Sequence, residues 1–196
     1  TPPALANTYQ QSIKQLEITG GAYNPELGEQ LSALGRTYLT QNDLSAAISV
    51  LKKAVFISRI NNGLNNAMQI PIIESLIEAY ISSGQYHEAD KRQSYLYRIR
   101  KINYRNDEQR TLKALLNFAK WQRQAYLLNI DKSSGKRLLI THDIYQQAIQ
   151  MIMTSSDQDL TNIIAPLEGL MSVQYLLSIY QGNDPETFQF SSQSSS

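Results

Sequence analysis

The sequence predicts an all-α protein, a right-handed superhelical stack of antiparallel helix pairs with about eight helices. Three observations carry this. A residue set recurs at a fixed interval, apolar positions within each copy follow a helical period, and each copy is interrupted midway by residues that stop one helix and start another. Leu34, Gly35, Tyr38, Ala47, Leu51 and Ala54 return 42 residues later as Leu76, Ile77, Tyr80, Ala89, Gln93 and Leu96, and a further step from Leu76 reaches Phe118 and Ala119. Leu27, Leu31, Leu34 and Tyr38 lie three or four apart, as do Ile73, Leu76, Ile77 and Tyr80. That is one face of a helix, whereas a half-buried strand would alternate every second residue. Gln41-Asn42-Asp43 in one copy and Ser83-Gly84-Gln85 in the other supply the break.

Taken in order, this pattern places helices near 4–18, 25–40, 43–59, 68–82, 85–103, 107–129, 138–154 and 158–180. Asn61-Asn62-Gly63 and the stretch from Asp131 to Arg137 read as loops, and Asn183-Asp184-Pro185 ends the last helix. Pro71 and Pro166 fall near helix starts, where the missing N–H has no intrahelical partner to lose. Gly35 and the recurring alanines allow paired helices to approach closely, and tyrosine or leucine one turn away fills the remaining space. The expected organisation is a single helical domain over 1–182, with repeats near 25–59, 67–103 and 107–154, flanking helices 4–18 and 158–180, and a flexible polar tail from 183 to 196.

Composition removes several function classes. The 196 residues contain no cysteine and two histidines, so thiolate metal sites, cysteine nucleophiles and disulfide frameworks are excluded, and no metal or other cofactor is expected. With 42% hydrophobic and 18% charged residues and a mean hydropathy of -0.36, the chain reads as a soluble protein with a real core. Uncharged apolar runs look too short to span a bilayer, so no transmembrane segment is expected. The chain opens Thr-Pro-Pro without an initiator methionine, which suggests a processed product or a piece of a longer protein. Together with the lack of cysteine this favours the periplasm or cell envelope over the cytoplasm.

Leu34-Gly35-x-x-Tyr38 with Asn42, Ala47, Leu51 and Ala54, followed by Leu76-x-x-x-Tyr80 with Gly84, Tyr86 and Glu88-Ala89, resembles the tetratricopeptide (TPR) repeats. The 42-residue step is similar to that of the long-helix variety found in kinesin light chain. Departures are Ile77 in place of a small residue, Gln93 in place of an apolar one, and Gln122 where the third tyrosine should fall. The stretch from Asn61 through Pro71 and Glu74 to Tyr104 also resembles exported bacterial repeat proteins of no assigned function. The resemblance implies a TPR-like α-solenoid that binds a protein or peptide partner in a concave groove formed by the first helix of each pair. Its groove-facing positions would be Ser32 and Arg36, then Glu74 and Glu78, then Lys113, Lys120 and Arg123. These do not reproduce the lysine and asparagine clamp of the chaperone-binding members, so no chaperone partner is expected.

The near-neutral total conceals segregated charge. Residues 1–90 carry 5 basic and 8 acidic side chains, residues 91–137 carry 13 and 3, and residues 138–196 carry none and 6. In the middle section Tyr95, Tyr97, Tyr104, Trp121 and Tyr126 interleave with Arg98, Arg100, Lys101, Arg105 and Arg110, a pattern that single-stranded nucleic acid or anionic headgroups can use. The competing reading makes the aromatics core residues and the charges a solvated face.

Motifs that could carry catalysis are weak. Ser133-Ser134-Gly135-Lys136 contains Ser-x-x-Lys, but in a loop and without the accompanying Ser-Asp-Asn and Lys-Thr-Gly elements, and it lacks the flanking residues of a phosphate loop. His87 and His142 each lack a second histidine nearby. Glu74 and Glu78 share a helix face without a base or metal cluster beside them. The expected function is therefore a non-catalytic interaction scaffold. The alternatives are an anionic-ligand binder acting through 91–137, with nucleic acid the lesser expectation, and an accessory domain of a larger protein.

Overall fold

The computed structural model describes residues 2–130, 134–155 and 160–183. The expected polar tail beyond Asn183 lies outside the described residues. The chain forms two compact units, Thr1–Asp107 and Glu108–Ser196. Among the described residues the regular structure is all helical, with eight α-helices and two short 3-10 turns.

The first unit holds α1 (Pro2–Gly20), α2 (Glu26–Thr40), α3 (Leu44–Asn62), α4 (Ile70–Ser82) and α5 (Tyr86–Asn103). Each packs on the next, α1 on α2, α2 on α3, α3 on α4 and α4 on α5. The apolar stripes read from the sequence form the core, with Leu27, Leu51, Ile73, Leu76 and Ile99 fully buried. Asp43 caps α3 by accepting from the Ala46 backbone N–H at 3.1 Å. Pro71 sits in the first turn of α4, where its lack of a donor costs nothing.

The small residue at the α2–α3 crossing is required by space. A Cβ on Gly35 would lie 2.5 Å from Leu51 Cγ, and Leu51 is itself fully buried. Gly35→Leu is expected to lower stability by about 2 to 3 kcal/mol through overpacking, measured by urea unfolding. Full stability in that variant would mean that the pair is not packed this way.

The helix pairs turn by one repeated device. Asn42 and Gly84 both adopt left-handed φ, 59° and 73°, and the next residue's N–H reaches back five positions, from Asp43 to the Tyr38 carbonyl at 2.9 Å and from Gln85 to the Tyr80 carbonyl at 2.8 Å. Nothing lies within 4 Å of a Cβ built on Gly84, so Gly84→Ala tests the backbone alone. It should cost about 1 kcal/mol in chemical denaturation, with Gly84→Asn costing less because asparagine tolerates this conformation.

The second unit holds α6 (Glu108–Leu127), α7 (Ser134–Thr154) and α8 (Ile164–Asn183), with α6 packed on α7 and α7 on α8. Its turn after α6 repeats the device: Asn129 has φ 51° and the Ile130 N–H donates to the Ala125 carbonyl at 3.2 Å. This corrects the register read from the sequence. From Asn42 to Gly84 the step is 42 residues, and from Gly84 to Asn129 it is 45. The third counterpart of Tyr38 and Tyr80 is therefore Ala125 rather than Gln122, and the counterpart of Leu34 and Leu76 is Trp121 rather than Phe118. Gln122 takes the place of Gly35 and Ile77, where it is buried and accepts from Arg137 Nη1 at 2.6 Å.

A further correction belongs to this unit. Gly135, Lys136 and Arg137 were expected in a loop but lie in the first turn of α7. The glycine is there for packing: a Cβ on Gly135 would fall 2.5 Å from the Tyr180 ring, and one on Gly169 would fall 2.3 Å from the Tyr145 ring. The α7–α8 pair is thus keyed twice, each helix offering a glycine to the other's tyrosine. No transmembrane segment was expected, yet Thr161–Tyr180 is long and apolar enough to cross a membrane by length and composition alone, with a mean hydropathy of 1.3. Counting only uncharged runs overlooked it, because the single carboxylate of Glu168 breaks the run without making the segment polar. Ile164, Leu167, Met171, Tyr175 and Ile179, three or four apart, leave one whole stripe of α8 exposed.

Burial raises the pKa of the Tyr145 phenol, an effect the Arg123 charge partly offsets. An unfolded tyrosine ionises near pH 10, while the folded one resists ionisation. The resulting stability is complete below about pH 10 and falls as pH rises from there through the folded value. Thermal unfolding is expected to lose more stability between about pH 9 and pH 11 in the parent than in Tyr145→Phe, and equal losses would show that this phenol is not involved.

Candidate functional site

A cavity of about 560 Å³ opens in the first unit. From α2 it is lined by Glu26, Gly28, Glu29, Ser32 and Arg36, which fall along one face of that helix. α3 contributes Ser58 and Asn62 from its last turns. The approach to α4 and its first turn contribute Met68, Pro71 and Ile72. Pro25, just before α2, completes the lining.

Local chemistry holds these walls in place. Asn24 Oδ1 accepts from the Glu26 backbone N–H at 3.0 Å and so fixes the start of α2. The connection from α3 to α4 is pinned by Gln69, which is fully buried and donates from Nε2 to the carbonyls of Gly63 and Leu64 at 2.8 and 3.1 Å. The Tyr95 hydroxyl closes the knot, 2.6 Å from the Leu64 carbonyl and 2.9 Å from Gln69 Oε1. Arg59 and Arg98 stack on the Tyr95 ring at 4.6 and 5.1 Å from its centroid. Asn66 Oδ1 accepts from the Met68 N–H at 2.7 Å and sets the turn that carries Met68 to the cavity.

Inside the cavity, Arg36 is exposed and donates from Nη1 to Ser32 Oγ at 2.7 Å, while Ser32 is buried. Glu26 and Glu29 are exposed carboxylates one turn apart. Ser58 is 5% exposed, and its hydroxyl has no hydrogen-bond partner among the described residues. The arrangement offers two anions, one cation, buried hydroxyls and an apolar wall. It presents no nucleophile with an adjacent base.

Of the groove positions expected from the sequence, Ser32 and Arg36 meet in this cavity. Glu74 does not line it and pairs instead with Arg100 of α5. Glu78 is exposed on α4. Lys113, Lys120 and Arg123 belong to the second unit. There Lys113 and Lys120 are exposed, and Arg123 is half-buried with Nη1 donating to Ser172 Oγ at 3.0 Å. Under the 45-residue step Arg123 is the counterpart of Arg36 and Glu78, whereas Lys120 corresponds to Ser75, a buried position in the second repeat. Glu29 and Pro25 were missed although the stripe through Ser32 and Arg36 extends back to them at helical spacing. Ser58 and Met68 carry no local signal, because only tertiary packing brings them to α2.

The aromatic residues of the basic section do not form a stacking platform. Tyr95 and Trp121 are buried, and Tyr97, Tyr104 and Tyr126 are only partly exposed. The section is also divided between the two units. The nearby Ser-x-x-Lys motif cannot be placed, since Ser133 lies outside the described residues. His87 is exposed, and His142 Nδ1 lies 3.4 Å from Asp143 Oδ1. Among the described residues no group of three or more His, Cys, Asp or Glu is placed to hold a metal ion.

The fold is TPR-like. A crystal structure of Podosopora anserina kinesin light chain with nearly identical TPR-like repeats superposes with a TM-score of 0.65 and 14% identity, covering 94% of this chain and 87% of that one. A point variant of that protein, with methionine in place of a glutamine, gives the same TM-score and identity over 92% of this chain and 80% of that one. No family model matches the sequence, and no match was found among the curated proteins. The class defined here is thus an all-α protein of TPR-like helix-pair repeats.

Proposed function

We propose that this chain is a non-catalytic interaction scaffold that holds a peptide or protein segment against the first helices of its helix pairs. The observation that carries this reading is the cavity along α2, where exposed charge, buried hydroxyls and an apolar wall meet on one face of the helix. Such a surface binds by shape and charge and needs no reactive group. Glu78 on α4, and Lys113, Lys120 and Arg123 on α6, are the further partner contacts under this reading.

Affinity capture from a native extract, with the intact chain and an Arg36→Glu, Glu78→Lys double variant as baits at low and high salt, tests it. A protein retained by the parent and lost by the variant is the expected result. Capture of nucleic acid or lipid by both baits, abolished by salt, would move the function to the basic section.

A further inference from the structure

We infer that the α2 cavity recognises an extended peptide segment carrying a lysine or arginine about three residues from a carboxylate, the basic side chain seated between Glu26, Glu29 and the Ser58 wall and the carboxylate on Arg36. This rests on the groove-binding reading and specifies its ligand.

The charges along α2 are ordered. Glu26 and Glu29 lie toward its start and Arg36 toward its end, all lining one cavity. Glu29 and Arg36 are seven residues apart, about 10 Å along the helix axis. An extended chain covers that distance in roughly three residues at about 3.3 Å each. A ligand with a single charge would leave the opposite charge of the cavity unanswered, so the complementary ligand is dipolar.

The walls distinguish the two ends. Met68, Pro71 and Ile72 give the apolar surface that the methylene stem of a lysine or arginine covers while its head reaches a carboxylate. Met68 is 55% exposed, so this surface is open in the free protein. Ser58 is the independent sign that the site is incomplete. The residue lies in the cavity wall at 5% exposure, and its hydroxyl has no partner among the described residues. Buried polar groups are normally paired, and a bound ammonium, guanidinium or peptide N–H is the partner this one lacks. At the other end Arg36 spends one donor on Ser32 and keeps the rest of its guanidinium N–H groups for a ligand carboxylate.

The test is selection of a displayed random heptapeptide library on the full chain, followed by fluorescence anisotropy with the enriched peptides. The expected motif is a basic residue about two to four positions from an acidic one. Glu26→Gln, Glu29→Gln should abolish the basic preference and weaken the parent peptides about ten-fold, and Arg36→Gln should abolish the acidic preference. Ser58→Ala provides the control for folding, since removing an unpaired buried hydroxyl should leave the melting temperature unchanged or higher while weakening the peptide several-fold. Unchanged affinity in Ser58→Ala, or the same motif selected by the glutamine variants, overturns the assignment. Enrichment of peptides without a basic residue that still depend on Arg36 overturns it too while sparing groove binding. A library that yields no specific peptide on the parent removes both.

Discussion

Tyr80→Ala is expected to destabilise the first unit by about 3 to 5 kcal/mol, the cost of emptying a large aromatic site in a core that relaxes only in part. Tyr80 is 3% exposed and stands one turn beyond the fully buried Leu76 on α4, which packs against α5. Its backbone carbonyl also accepts the closing bond of the turn from Gln85, so the side chain braces the residue on which that turn hangs. Tyr38 is its repeat equivalent, and an equal cost would be expected from the sequence. The structure separates the two, because Tyr38 is only half-buried and its hydroxyl accepts from Gln10 Nε2 at 2.6 Å near the surface. Tyr38→Ala should cost about 1 to 2 kcal/mol. Urea unfolding of both variants at matched m-values measures the difference, and equal losses would refute the distinction.

The second large effect is expected at Gly169. A methyl group there would sit 2.3 Å from Tyr145 Cζ and 2.7 Å from its hydroxyl oxygen, and Tyr145 is 2% exposed. Alanine improves helix propensity by about 1 kcal/mol over glycine, and this gain is the only favourable term. Displacing a buried ring costs more, so Gly169→Ala should lose about 2 kcal/mol net. Tyr145→Leu in the same chain should recover part of that loss, because the two changes share one space and cannot be additive. If Gly169→Ala melts with the parent, α7 and α8 do not meet at these residues.

Much of the fold was legible, and the reasons for the failures are local. The first two helix pairs declared themselves because Asn42 and Gly84 keep the interval of the packed positions, so every buried residue between them repeats in register. The third pair looked degraded because three residues are added before its turn at Asn129. A fixed step then set Gln122 against Tyr80, when Gln122 fills the crossing position and pairs with Arg137. The start of α7 was missed because Gly135 reads as a chain breaker, and only the Tyr180 ring explains it inside a helix. Of the α2 cavity, Ser32 and Arg36 could be reached through periodicity and the repeat resemblance. Ser58 and Met68 depend on the Gln69–Tyr95 knot that folds the α3–α4 connection back, a contact between residues 26 apart that no local pattern encodes.

The three left-handed turns at Asn42, Gly84 and Asn129 also mark where the chain can be cut and rejoined. Shuffling its helix pairs at equal sequence intervals would carry the third block across by three residues, a net turn of about 60° and a slip of about 4.5 Å along the helix, and set its buried residues out of register. Exchanging blocks between those turn residues instead keeps each segment's own facing intact, so natural duplication or deliberate recombination would find its tolerated junctions there.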